Sequence, residues 1–243
     1  MPGKAVERLD LTVGWYGKLP GVGDFASRGI ARPTLDMLDN WMQDGLTTLE
    51  QRTNEWLTPF LQAPVWNMIL PADKLSRLPM IGCIGPSCDR VGRGFPLILL
   101  LSGPESLAFR SLIAQSTDWL TGTREILRQA IERKYVPDQL DQQLRQLTGI
   151  FWSARSLPQH GEADMRHDIL DVIGQPIEED AVTIPLAGGM LPWPELSSTF
   201  SDQNDLSYWW ATPTPDFPGA IPVIHRGPLD SALFSRLFSA RPF

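Results

Sequence analysis

The residues best suited to chemistry sit in two glycine-rich stretches, "GWYGKLPGVGDFASRGI" (14–30) and "DRVGRGFP" (89–96). The first carries Lys18 and Asp24, the second Asp89, Arg90 and Arg93. Cations on loops can grip a phosphate or carboxylate, arginine bidentately, so Lys18, Asp24, Asp89 and Arg90 could act together on a phosphorylated partner. Each familiar motif for such chemistry is incomplete. Gly21, Gly23 and Ala26 match G-x-G-x-x-A, but a dinucleotide site needs a helix starting at the glycines, and Gly29 and Pro33 leave no room for one. Gly17-Lys18 is followed by Leu19, which lacks the hydroxyl that a phosphate loop uses to hold magnesium. In "GPSCD" (85–89), Asp89 stands where a nucleophile elbow has its closing glycine. His160, His167 and His225 lie far downstream, at no metal-binding spacing. The competing reading is structural. Glycines permit positive φ and close backbone approach in a tight connection, while Asp89 or Asp24 pairs with an arginine to tie two loops together.

The frame around these stretches is ordinary. The chain has 243 residues, 42% of them apolar, a net charge of −7 and a pI near 5.0. That acidity argues against a nucleic-acid binder that tracks the phosphate backbone. "MPGKAVERLDLT" lacks the apolar core of a signal peptide, and "FPLILLL" (95–101) falls well short of the roughly 20 residues that span a bilayer. A cytoplasmic protein without membrane insertion is expected. Cys83 and Cys88 in "CIGPSC" fit neither a zinc knuckle nor a C-x-x-C redox pair and read as small buried hydrophobes.

Periodicity supplies the elements. Strands are expected at 11–17, 65–70, 80–86, 95–102, 206–211 and 221–225, with a further edge strand in "AVTIPL" (181–186). Pro33 opens a helix whose Leu35, Leu38, Trp41, Met42, Leu46 and Leu49 form one apolar stripe. "NEWLTPFLQA" reads as a shorter helical segment. A long helical region carrying Leu112, Ile113, Trp119, Leu120, Ile126, Leu127, Ala130 and Ile131 is expected to break at Gly122, another helix begins at Pro137, and "PLDSALFSRLF" (228–238) forms a closing helix. The unbroken apolar run Leu97–Leu101 implies a strand covered on both faces. The expected fold is α/β, a layered single domain over residues 1–243 with an ordered core at about 11–239 and a central mixed β-sheet flanked by helices. Of the adjacent Trp209 and Trp210, one should enter the core and the other stand exposed as an interface anchor.

Four segments carry a family likeness. "YGKLPGVGDFASRGI" resembles the amino-terminal signature G-K-L-P-x-x-G-D-F-x-x-R of the TagF/ImpM family of type VI secretion-associated proteins. "APVWNMIL", "GPSCDRVGRGFPLILL" and "LSYWWA" resemble three further family segments, in the expected order. The resemblance implies a post-translational negative regulator of type VI secretion, partnered with the FHA-domain scaffold protein of that machine. No catalytic residues, cofactor or metal are expected, since the residues offer no nucleophile, metal set or nucleotide loop. An enzyme or ligand-binding protein of another type, or a structural component of the machine, are the alternatives. On this reading Gly17, Lys18, Leu19, Pro20, Gly23, Asp24, Phe25, Asp89, Arg90, Gly92, Arg93, Phe95, Trp209 and Trp210 form either a contact surface or internal loop braces.

Overall fold

The computed structural model describes residues 11–103, 106–156, 191–201, 205–212 and 221–239. The apolar run at 97–101 lies in β5 (Leu97–Ser102). Side chains alternate across a strand, so Leu97, Leu99 and Leu101 face one way while Ile98 and Leu100 face the other, all of them buried. β3 (Trp66–Leu70) and β4 (Met80–Gly85) are buried along their whole length for the same reason. β1 (Thr12–Lys18), β2 (Phe25–Arg28), β6 (Leu206–Ala211) and β7 (Val223–Arg226) complete a seven-stranded sheet in the order β2-β1-β5-β4-β3-β6-β7.

Every neighbouring pair in this sheet is antiparallel. The expectation of a mixed sheet is therefore corrected. Burial on both faces produces the same continuous apolar run in a parallel or an antiparallel strand, so the run could not fix direction. β2 was not anticipated. It pairs Phe25–Arg28 with Lys18–Trp15 of β1, forming a hairpin inside the glycine-rich stretch.

Helices cover both faces. On one side lie α3 (Ser106–Gln115), α4 (Thr117–Glu132), α5 (Pro137–Ser156) and the short α6 (Leu196–Thr199). Their Ile113, Trp119, Ile126, Leu127 and Leu140 pack on Trp15, Cys83, Leu99 and Trp210. On the other side lie α1 (Arg32–Arg52), α2 (Leu57–Leu61) and α7 (Ser231–Phe238), whose Leu38, Trp41, Phe60 and Phe234 pack on Met68, Ile98 and Trp209. Gly122 does not break a helix: it is buried within α4, and the interruption falls at Ser116, which joins α3 to α4. The buried Ser116 hydroxyl donates to Ile113 O at 2.9 Å, satisfying the main chain where the helix stops. "AVTIPL" (181–186), His160 and His167 lie outside the described residues.

α1 and α7 cross closely, because the chain provides no Cβ at the contact. A Cβ on Gly45 would come within 2.1 Å of the Phe234 ring. Alanine favours a helix interior over glycine by about 1 kcal/mol, but overpacking a filled core costs about 1–3 kcal/mol, and here the intruded ring is buried. Gly45→Ala is expected to lower the melting temperature by several degrees, on the order of 2–4 °C per kcal/mol for a chain of this size. Differential scanning calorimetry checks this; a rise in melting temperature would mean that α7 retreats without cost.

Candidate functional site

β1 ends at Lys18, and the chain then turns through Leu19, Pro20 and Gly23 before β2 begins at Phe25. Gly17 adopts φ +141°, and a Cβ there would meet Pro96 O at 2.1 Å, so only glycine lets β1 lie this close to the entry of β5. The facing segment is the β4–β5 connection, which holds Asp89, Arg90, Gly92 and Arg93. Gly92 takes φ +86° in the turn closed by its own amide on Asp89 O, at 2.9 Å. An isolated bridge between Cys88 and Gly94 narrows the neck of this loop.

The two loops meet around one carboxylate. Asp89 Oδ1 accepts from the amides of Val91 and Arg93, each at 3.0 Å. Asp89 Oδ2 accepts from Arg93 Nε at 2.6 Å and lies 3.2 Å from Lys18 Nζ. The Asp89 side chain is fully shielded from water and that of Lys18 nearly so, whereas Arg93 lies over them, largely exposed. Lys18 Nζ also reaches Arg93 O at 3.4 Å and stands 5.0 Å from the centre of the Phe25 ring, within cation–π range. Four donors saturate the carboxylate.

Burial alone would push the Asp89 carboxyl up. The Arg93 amide and guanidinium, Lys18 and the Val91 amide outweigh it and hold the carboxyl well below the usual carboxylate range. A general base works best with a pKa near the operating pH. Asp89 instead has the properties of a permanent anion, and the arrangement is an ionic tie. The main chain reinforces it: the Arg90 amide donates to Val22 O at 2.8 Å and Arg93 Nη2 to Gly23 O at 3.0 Å. Ser87 was legible only as a would-be nucleophile. Its buried hydroxyl donates to Lys18 O at 2.8 Å and so braces the same junction.

An aromatic cluster flanks the tie. The rings of Phe25 and Phe95 meet edge to face at 4.7 Å, and Tyr16 lies 6.1 Å from Phe25 and 5.9 Å from Phe95. The Tyr16 hydroxyl donates to Asp39 of α1. Burial, followed by this hydrogen bond, pushes the tyrosine's pKa up. Sequence reasoning did not single out Tyr16 or Asp39, since they lie on different elements and neither belongs to a motif. Asp24, the other proposed partner of an arginine, accepts from the Phe25 amide at 2.8 Å and enters no ion pair among the described residues.

Twelve of the fourteen residues singled out in the sequence thus lie at one junction, and two do not. Trp209 and Trp210 stand on β6, separated from β1 by β3, β4 and β5. Both are buried, which corrects the expectation that one would be exposed. Trp209 packs 5.8 Å from Trp41 in the α1 layer, and Trp210 meets Trp193 edge to face at 6.1 Å on the opposite side. Cys83 is buried and free, as expected of a small hydrophobe; Cys88 is half-buried and also free. No group of three or more histidine, cysteine or acidic side chains could hold a metal ion among the described residues, and no helix there is long and apolar enough to cross a membrane.

A seven-stranded antiparallel sheet between two helical layers, with a lysine–aspartate–arginine tie across its loops, defines the class of the chain. The crystal structure of PA0076 from Pseudomonas aeruginosa PAO1, at 2.05 Å resolution, shares this fold: its TM-score is 0.67, with 23% identity over 96% of each chain. No curated protein matches the sequence. Residues 14–147 match the TagF N-terminal domain, described as type VI secretion system-associated, and the chain belongs to that family.

The tie makes a pH-dependent prediction. Asp89→Asn leaves the Lys18 ammonium shielded beside a neutral amide, and removing one partner of a buried pair costs about 3–5 kcal/mol. Arg93, one partner of the pair, is largely exposed, so about 2 kcal/mol is expected at neutral pH. A depressed carboxylate contributes stability above its unfolded pKa, near 3.9, and loses it as pH falls through the lower folded value. Urea titrations should therefore show a full gap between wild type and Asp89→Asn above about pH 5 that narrows below about pH 4. A gap independent of pH would show that the charge of Asp89 contributes nothing.

Proposed function

We propose that the chain is a non-enzymatic, cytoplasmic, post-translational negative regulator of type VI secretion that acts by binding and sequestering the FHA-domain scaffold protein. The observation that carries this reading is the match of residues 14–147 to a type VI secretion-associated domain. The geometry of the loop junction supports it in a second way. Phe25 and Val91 are exposed at 44% and 69%, and Arg90 stands exposed between the tied segments with no ion-pair partner among the described residues. An apolar and basic rim on a braced loop needs little ordering on binding, and that preorganisation favours affinity.

The reading assigns different tasks to the two arginines. Arg93 belongs to the brace and Arg90 to the contact surface. Calorimetry of the purified protein with the FHA-domain scaffold from the same organism should give saturable binding, which Arg90→Glu weakens by about tenfold or more at an unchanged melting temperature. Arg93→Glu should lower the melting temperature as well. Absence of binding to the folded scaffold, phosphorylated or not, would overturn the sequestration mechanism.

A further inference from the structure

A cavity of about 190 Å³ opens at the other end of β1 from Lys18. Its floor is the sheet, with Leu100 and Ser102 of β5 and Met80 of β4; one wall is the β3–β4 loop at Leu78, the other the start of α1 at Ala31 and Thr34. Close backbone contact fixes the α1 side. A Cβ on Gly14 would lie 2.7 Å from the Gly29 carbonyl carbon, so the turn into α1 rests directly on β1. The cavity is a seam between three elements of the fold.

Two independent features of this seam point to an anionic ligand. The first turn of α1 is left uncapped: Ala31 offers no side-chain oxygen and Pro33 has no amide hydrogen. The amides of Arg32 and Thr34 consequently have no protein acceptor among the described residues. They stand at the positive end of a 21-residue helix. The second feature is Thr34 itself. The residue lines the cavity and is only 5% exposed; its hydroxyl is open to the cavity rather than sealed in the core and has no hydrogen-bond partner among the described residues, so a group bound in the cavity can engage it. Ser102 lines the same space, its hydroxyl likewise without a partner among the described residues, whereas that of Ser76 is already engaged with the main chain at Leu78.

The rest of the lining, Leu78, Met80, Leu100 and Ile30, is apolar. A cavity of about 150 Å³ accommodates benzene, so this one has room for a ring or a short branched chain. We propose that the seam is a binding site for a small monocarboxylate. Its carboxylate accepts from the Thr34 amide and hydroxyl and from Ser102, and its apolar body lies against Leu78, Met80 and Leu100.

The test is an amide-resolved NMR titration of the full-length protein with benzoate, benzamide and acetate. Benzoate should move the Thr34 and Ser102 amides saturably, with a dissociation constant on the order of 1 mM or tighter. Benzamide lacks the charge and acetate lacks the apolar body, so each should bind about tenfold more weakly or worse. Thr34→Val keeps the shape and removes the hydroxyl; it should weaken benzoate by about tenfold at an unchanged melting temperature. Should that variant fold poorly, Ser102→Ala serves instead, with a smaller loss in the same direction. Benzoate shifts that do not saturate, that centre elsewhere, or that benzamide reproduces at equal concentration would overturn the proposal.

Discussion

Three adjacent strands, β5, β4 and β3, are shielded from water on both faces, and the rest of the molecule answers that constraint. Burial of apolar surface contributes about 25 cal/mol per Å², but only when both faces of the sheet are covered. Two helical layers do this with different side chains. The α3–α6 side supplies mainly aliphatic residues and Trp119. The α1–α7 side is richer in aromatics, with Trp41, Phe60, Phe234 and Phe238 in mutual contact along the helices. Two of the buried indoles in these layers are satisfied by the main chain. The indoles of Trp41 and Trp66 donate to the main chain at the two ends of α7, at Asp230 O and Leu237 O.

The ionic tie is a consequence of this layering at the sheet's margin. β1 leaves the sheet where β5 enters it, and the loops that meet there are held by buried Leu19 and Phe95 together with charge. A fully shielded Asp89 gathers donors from its own loop and from Lys18, and Arg93 extends the grip to Gly23 O. Lys18, Asp89 and Arg93, chemically able in the sequence, are here committed to one another, while Phe25, Arg90 and Val91 face outward.

Local pattern made much of this readable. The stripe from Leu38 to Leu49 specified α1 and its buried face, because helical period and core contact coincide there. The tie expected between Asp89 or Asp24 and an arginine is made by Asp89, with Arg93 four residues on in the same loop. The share of Lys18 in it was not legible, since 75 residues separate it from Arg93. β2 escaped notice because four residues amid glycines carry too little periodicity, and its pairing with β1 is decided by the turn. The double tryptophan misled for a related reason: alternation sends the two rings to opposite faces, but only the tertiary fold reveals that both faces are covered. The seam beside Thr34 left no trace in sequence, being formed by three elements that share no motif.

The pinning of α7 has a bearing on how the molecule is made. The helix comes from residues 231–238, the last described element, yet it is held by Trp41 and Trp66 across 189 and 171 residues of chain. A chain emerging from the ribosome has α1 and β3 in hand long before it has their lid. Until that lid arrives, Trp41, Met42 and Phe60 present an oily, wetted face. Docking of α7 is thus the step that takes these side chains out of water.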